Sequence, residues 1–164
     1  FFSELDKDYK VTFVQEQKEL GTAGGLSKLI KQIKKPFFIS NCDTIINGDY
    51  QKIYDFHKKE KNHLTLVAAM KRYVIPFGIC EVDNIGQIKL IKEKPSNDYL
   101  INTGMYVLNP ELLKLIPKNK KFDFTELINL AVKMNKKISV YPIAEDSWID
   151  VGQWPEYKKS LSLL

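Results

Sequence analysis

"PFFISNCDTIINGDY", residues 36–50, is the stretch on which the reading of the fold turns. Phe37, Phe38 and Ile39 make an aromatic and apolar run suited to a buried strand. Asn41, Asp43 and Asn47 follow at once and want water. An aspartate at that point does little for core packing. It either makes a turn and caps the next loop, or it ligates a divalent cation, since Mg2+ takes one or two carboxylates together with substrate phosphates. The local sequence does not separate the two.

Outward from this stretch, strand and helix signals alternate. "VTFV" (11–14) reads as a short strand. "TAGGLSKLIKQI" (22–33) reads as a helix with Thr22 as N-cap and Leu26, Leu29, Ile30 and Ile33 at helical spacing. After "PFFIS" comes "DYQKIYDFHKK" (49–59), a helix capped by Asp49, then "LTLVAAM" (64–70), apolar enough for burial on both sheet faces. This β-α-β-α-β order implies a parallel sheet covered by helices. The pattern then changes. "FGICEV" (77–82) and "IKLIKE" (88–93) flank a "DNIGQ" turn and predict a hairpin. "YLINTGMYVL" (99–108) is a strand whose interior Gly104 signals a bulge or a close approach. "NPELLKLI" (109–116) starts a helix with Asn109 and Pro110, and "DFTE" (123–126) is a capping-box pattern before another. "ISVYPI" (138–143) is a last strand and "PEYKKSLSLL" (155–164) an amphipathic helix. The fold class is α/β.

Bulk properties exclude several functions. A chain of 164 residues, 44% hydrophobic, suffices for one ordinary domain, and no apolar run is long enough to span a membrane. The charge is +5, yet Arg72 is the one arginine among 25 basic residues, and the lysines are scattered. Nucleic-acid readers lean on arginine for bidentate contacts, so nucleic acid is not an expected partner. Cys42 and Cys80 fit no metal spacing and read as small buried residues in a reducing cytoplasm. His57 and His63 have no partner motif and read as ordinary structural histidines.

Chemistry should sit beyond the carboxyl ends of the strands, where open sheets bind ligands. Asp43 lies there. "LGTAGG" (20–25) is a glycine-rich turn that could present backbone N–H groups to a ligand. "KEKPS" (92–96) places Glu93 and Lys94 after a strand, and "INTGMY" (101–106) places Asn102 and Thr103 beside Gly104. "SWIDVGQWPEY" (147–157) carries a second aspartate, Asp150, between two tryptophans.

Taken together and in this order, "LGTAGG", "FFISNCDTII", "FGICEV", "IKEKP", "INTGMYVLNPE" and "SWIDVGQWPEY" resemble the sugar-1-phosphate nucleotidyltransferases, or nucleotide-sugar pyrophosphorylases. The form of LGTAGG is most similar to the hexose- or heptose-1-phosphate guanylyltransferase branch, some bacterial members of which carry a regulatory CBS pair ahead of this domain. The resemblance implies a Rossmann-like, GT-A-like fold with a mixed sheet. It also implies a cytoplasmic, Mg2+-dependent transfer of a nucleoside monophosphate from an NTP, with GTP favoured, to a sugar 1-phosphate. Pyrophosphate is the second product, and assembly into a homo-oligomer is left open. The family's opening strand and its G-x-G-T-R-L-type phosphate loop have no counterpart here. Residues 1–164 are therefore expected to be the C-terminal part of the catalytic domain, lacking its first β-α-β-α-β segment, and inactive alone.

Carried over by position, the resemblance implies that Gln15, Glu16, Gly21 and Thr22 line the nucleotide base pocket. Asp43 and Asp150 would hold Mg2+, with carboxyl groups within roughly 8 Å of each other. Gly78, Glu93, Asn102 and Thr103 would line the sugar pocket, and Lys94 would meet the sugar phosphate. A metal-dependent glycosyltransferase is the rival reading, but such enzymes typically carry Asp-x-Asp where this chain has Asn-Cys-Asp. A non-catalytic nucleotide-sugar-binding module is the other.

Overall fold

The computed structural model describes residues 8–152. These fall into two compact units, one of residues up to Phe37 with Asn109–Lys137, the other of Phe38–Leu108 with residues from Ile138 on. The strands are β1 (Phe37–Ser40), β2 (Thr44–Ile46), β3 (Leu64–Val74), β4 (Ile79–Val82), β5 (Ile88–Lys92), β6 (Ser96–Leu108), β7 (Ile138–Ile143) and β8 (Trp148–Asp150). The α-helices are α1 (Gly21–Gly24), α2 (Tyr50–Lys59) and α3 (Phe124–Lys133). No helix among the described residues is long and apolar enough to cross a membrane.

The second unit is built on a four-stranded mixed sheet in the order β1-β6-β3-β7. β3 pairs antiparallel with β6 and parallel with β7. That double partnership explains why "LTLVAA" is a nearly continuous apolar run: Leu64, Val67, Ala68 and Ala69 are all fully buried. It also corrects the parallel sheet implied by the β-α-β-α-β order, because β6 lies between β1 and β3. "VTFV" forms no strand, and Phe13 and Val14 are exposed. β-branched and aromatic residues favour a strand only where a ladder and a packing face are at hand.

α2 begins at Asp49, whose carboxylate accepts the Lys52 N–H at 3.1 Å. Ile53 and His57, four residues apart, are its buried face, and the helix packs on β3 and β6. Ile53, Ile46, Val67, Met105 and Val107 form one core cluster, with Phe38, Tyr54 and Trp148 packed against it. His57 is held in this interior by Thr65, whose Oγ1 lies 2.9 Å from its Nδ1 and also accepts from Asn62. Asn62 in turn accepts from Ser139. His57 is thus a satisfied structural histidine. Two smaller sheets complete the unit, the antiparallel pair β2–β8 and the hairpin β4–β5.

In the first unit the predicted helix over 22–33 is replaced by the four-residue α1 and a 3-10 segment, Gly25–Leu29. Three glycines in six residues disfavour a regular helix. The 3-10 segment Pro110–Leu115 buries Leu112 and Leu113, and α3 buries Phe124, Leu127 and Ala131. α3 opens on the capping box read from "DFTE", with Asp123 as N-cap and Glu126 Oε2 accepting the Asp123 N–H at 2.7 Å. The helix expected over residues 155–164 lies outside the described residues.

Candidate functional site

The loop after β1 is fastened on both sides of Asp43. Asn41 donates its N–H to Gly104 O at 3.1 Å, and Thr44 Oγ1 donates to Thr103 O at 2.8 Å. Thr44 begins β2, which pairs antiparallel with β8, and the register sets Thr44 opposite Asp150. Val151 N–H then closes onto Asp43 O at 2.9 Å, and Gly152 N–H onto Asp150 Oδ1 at 3.0 Å. A Cβ placed on Gly152 would lie 2.8 Å from Asp43 Oδ2 and 3.1 Å from Asp150 Oδ1. The two carboxylates therefore converge on one point, closer together than the roughly 8 Å that sharing one hydrated ion allows. Among the described residues no group of three or more His, Cys, Asp or Glu side chains could hold a metal. A bare carboxylate pair suits Mg2+, which keeps waters and takes its remaining oxygens from phosphates, and does not suit a closed Zn2+ cage.

β6 carries the bulge that Gly104 signalled. Val67 faces Met105 and the next residue, Ala68, faces Asn102, so Thr103 and Gly104 stand opposite no residue of β3 in the ladder register. Gly104 has φ +80°, and a Cβ there would lie 2.6 Å from Asn41 Nδ2, so the position excludes side chains twice over. Asn102 sits at the edge of the bulge. Its Oδ1 accepts the Gly104 N–H at 3.0 Å and its Nδ2 donates to Tyr106 Oη at 2.9 Å. The amide orientation is forced, because a backbone N–H can only donate. Burial raises the Tyr106 pKa, and the Asn102 hydrogen bond opposes the rise. Thr103 corrects an expectation. It is buried, its hydroxyl donating to Val67 O at 2.8 Å and accepting the Met105 N–H at 3.3 Å. With its one proton and its position taken by the bulge, Thr103 has none to offer a sugar.

On the hairpin, Gly78 and Glu93 are neighbours, a Cβ at Gly78 falling 3.1 Å from Glu93 Oε2. A glycine there leaves the carboxylate room. Lys94 has φ +42°, a left-handed conformation, directly before Pro95. Such a conformation is unusual for a non-glycine residue and more so before proline. Pro95 O accepts the Ile75 N–H at 3.0 Å, which fixes the turn.

In the first unit Glu16, Gly21 and Thr22 line an open depression of about 190 Å³ together with Val14 and Leu29. Glu16 Oε2 accepts the Leu20 N–H, and the Gln15 carbonyl accepts from Lys28 Nζ. Three successive N–H groups of the glycine-rich turn, however, are already committed within the protein. Thr22 N–H goes to Asp123 Oδ1 at 2.8 Å, and Ala23 and Gly24 N–H both go to Phe122 O at 3.0 Å. The Thr22 hydroxyl donates to Asp123 and accepts the Phe124 N–H. Gly21 and Gly24 are needed because Phe122 O and Lys120 O approach within 2.9 and 2.8 Å of where their Cβ atoms would be. "LGTAGG" is a packing joint with residues 120–124, and Thr22 is a cap for α3 and not for its own helix.

Cys42 and Cys80 are exposed, not buried. Cys42 sits in the loop beside Asp43, and Cys80 on a hairpin exposed along most of its length. Sequence reasoning passed over Thr44, Asn41, Tyr106 and Gly152. The signal for Gly152 was present in "WIDVG", where a glycine two residues after an aspartate admits an Asx turn. Nothing local marks Thr44 or Tyr106.

The mixed sheet, with a carboxylate pair at a strand end and a bulged strand beside it, defines the class, a Rossmann-like α/β protein. The chain belongs to the nucleotidyl transferase family, whose model matches residues 2–163. It is 34% identical over 158 residues to a mannose-1-phosphate guanyltransferase 2 of Candida glabrata, covering 90% of this chain and 43% of that protein. It is 33% identical over 158 residues to the mannose-1-phosphate guanyltransferase of Saccharomyces cerevisiae, with the same coverage. The chain thus spans less than half the length of these relatives. Its fold is similar to that of HddC from Yersinia pseudotuberculosis, with a TM-score of 0.71 at 23% identity over 98% of this chain and 70% of that one. That protein has also been solved with GMP-PN, at a TM-score of 0.70.

Proposed function

We propose that this chain serves the transfer of a guanylyl group from GTP to a sugar 1-phosphate, with release of pyrophosphate. The convergence of Asp43 and Asp150 beside Gly152 carries this reading. The reaction brings two anions together, so its main demand is charge neutralisation and alignment. Mg2+ held by Asp43 and Asp150 would supply that neutralisation at the transferring phosphate. The protein's own part is to hold the two carboxylates apart from the core yet fixed, through the β2–β8 pair. Lys94 meets the acceptor phosphate, and Gly78, Glu93 and Asn102 take the sugar hydroxyls, Asn102 with an amide already oriented by Gly104 and Tyr106. Gln15, Glu16, Gly21 and Thr22 offer an edge for the base. The N–H groups of Thr22, Ala23 and Gly24 are committed to Asp123 and Phe122, so these three do not serve the triphosphate. An oxygen of the sugar phosphate attacks the α-phosphorus in line and pyrophosphate departs. No protein nucleophile is required. The guanine preference follows the curated relatives. Two free, exposed thiols suit a reducing cytoplasm.

The test is to assay this chain, and any longer gene product that contains it, with Mg2+, each of the four NTPs and a panel of sugar 1-phosphates. Pyrophosphate release dependent on both substrates, strongest with GTP and lowered roughly 100-fold by Asp43→Asn, is expected. Release of nucleoside diphosphate in its place would identify a glycosyltransferase and end the proposal.

A further inference from the structure

We infer that Thr44 is a positioning residue, through which the bulge at Thr103 and Gly104 sets the spacing of the Asp43 and Asp150 carboxylates. The inference rests on the reading of that pair as a metal site. β3 and β6 pair in register over most of their length, and the single irregularity falls at Thr103 and Gly104. It forfeits ladder bonds in the best-buried part of the sheet, where Val67 and Ala68 are completely inaccessible. It also requires a backbone at φ +80°. Bulges placed at such cost commonly re-aim a neighbouring group.

Here both residues of the bulge direct their carbonyls at the Asp43 loop. Gly104 O takes Asn41 N–H on one side of Asp43, and Thr103 O takes the Thr44 hydroxyl on the other. Thr103's own hydroxyl repairs the gap by serving Val67 O and Met105 N–H, so the bulge is a satisfied, rigid anchor. Thr44 then does two things at once. Its side chain binds the bulge, and its backbone stands opposite Asp150 in the β2–β8 register. Asp43 precedes it by one residue. Thr44 joins the anchor to both carboxylates, by direct bonding on one side and by register on the other, so its hydroxyl fixes how far apart the carboxylates sit.

The test uses Mn2+ alone as the probe, with free Mn2+ followed by electron paramagnetic resonance. Thr44→Val keeps the shape and loses the donor. It should weaken Mn2+ binding by roughly 10-fold, the lower end of what outer-shell changes cost. Thr44→Ser, which keeps the hydroxyl, should restore wild-type affinity. Thr44→Ala gives the same readout if the valine variant does not fold. In turnover the metal concentration for half-maximal activity should rise while KM for the sugar 1-phosphate stays unchanged. If Asp43→Asn abolishes Mn2+ binding but the valine variant binds as wild type, the positioning role is overturned and the metal reading stands. If wild-type protein binds no Mn2+, or Asp43→Asn binds it equally, the metal reading falls and this inference with it.

Discussion

Asp43 and Asp150 meet across the shortest sheet among the described residues. Two three-residue strands, β2 and β8, set the residue after Asp43 opposite Asp150, and the chain then turns through Gly152 against both carboxylates. Gly152 is not one of the glycines with positive φ, so its backbone tolerates a side chain and the carboxylates alone object. Gly152→Ala is therefore expected to displace two flexible side-chain ends and spare the fold. Metal affinity should fall by roughly 10-fold, with little change in melting temperature. A Mn2+ titration beside a thermal melt checks this, and undiminished affinity would show that the carboxylates do not share an ion at this point.

Asp123 joins two segments as well as capping α3. Its Oδ1 accepts from Thr22 N and Oγ1 while the carboxylate serves as N-cap. Asp123→Ala should cost at least about 2 kcal/mol, more than a simple cap, because Thr22 N–H also loses its partner. Asp123→Asn keeps an acceptor oxygen and should cost less. Urea denaturation measures both. A loss typical of an ordinary surface substitution would mean that the glycine-rich turn holds without Asp123.

Lys94 separates strain from function. Its φ of +42° suits glycine, so Lys94→Gly should leave stability unchanged or raise it by up to about 1 kcal/mol. Lys94→Ala keeps the strain and should not stabilise. Both remove the charge, and both should raise KM for the sugar 1-phosphate well above any change for GTP. Equal effects on the two substrates would place the lysine elsewhere.

Tyr106 predicts an alkaline limb in stability. Burial raises its pKa above the ordinary phenol value of about 10. A raised folded-state pKa means that the contribution is complete below about pH 10 and is lost as pH rises through the folded value. Tyr106→Phe should flatten the decline above pH 10 relative to wild type, seen in urea denaturation from pH 7 to 11. At neutral pH it should cost about 1 kcal/mol for the lost Asn102 bond. It should also raise KM for the sugar 1-phosphate, as Asn102 loses one of the two contacts that orient it. Identical alkaline slopes would show that the phenol ionises freely in the folded protein.

Much of this molecule was legible residue by residue. Asp49 as the cap of α2, the "DFTE" capping box, the β4–β5 hairpin and the break at Gly104 all follow from interactions within a few residues. Such interactions are written in the sequence. The pairing of Asp43 with Asp150 entered through resemblance to a family, since no spacing rule links positions so far apart. What only the tertiary structure decided lies at longer range. The insertion of β6 between β1 and β3 depends on which strand offers the better-packed ladder, and local propensity is blind to that. "VTFV" has strand-forming residues but pairs with no strand among the described residues. "LGTAGG" looks ready for a ligand, yet Asp123 and Phe122, a hundred residues away, claim the N–H groups of Thr22, Ala23 and Gly24. Thr103 looks available beside a glycine, yet the bulge draws its hydroxyl inward to a carbonyl on another strand. The sequence states which groups need partners. The three-dimensional packing assigns those partners, and so decides which groups remain for chemistry.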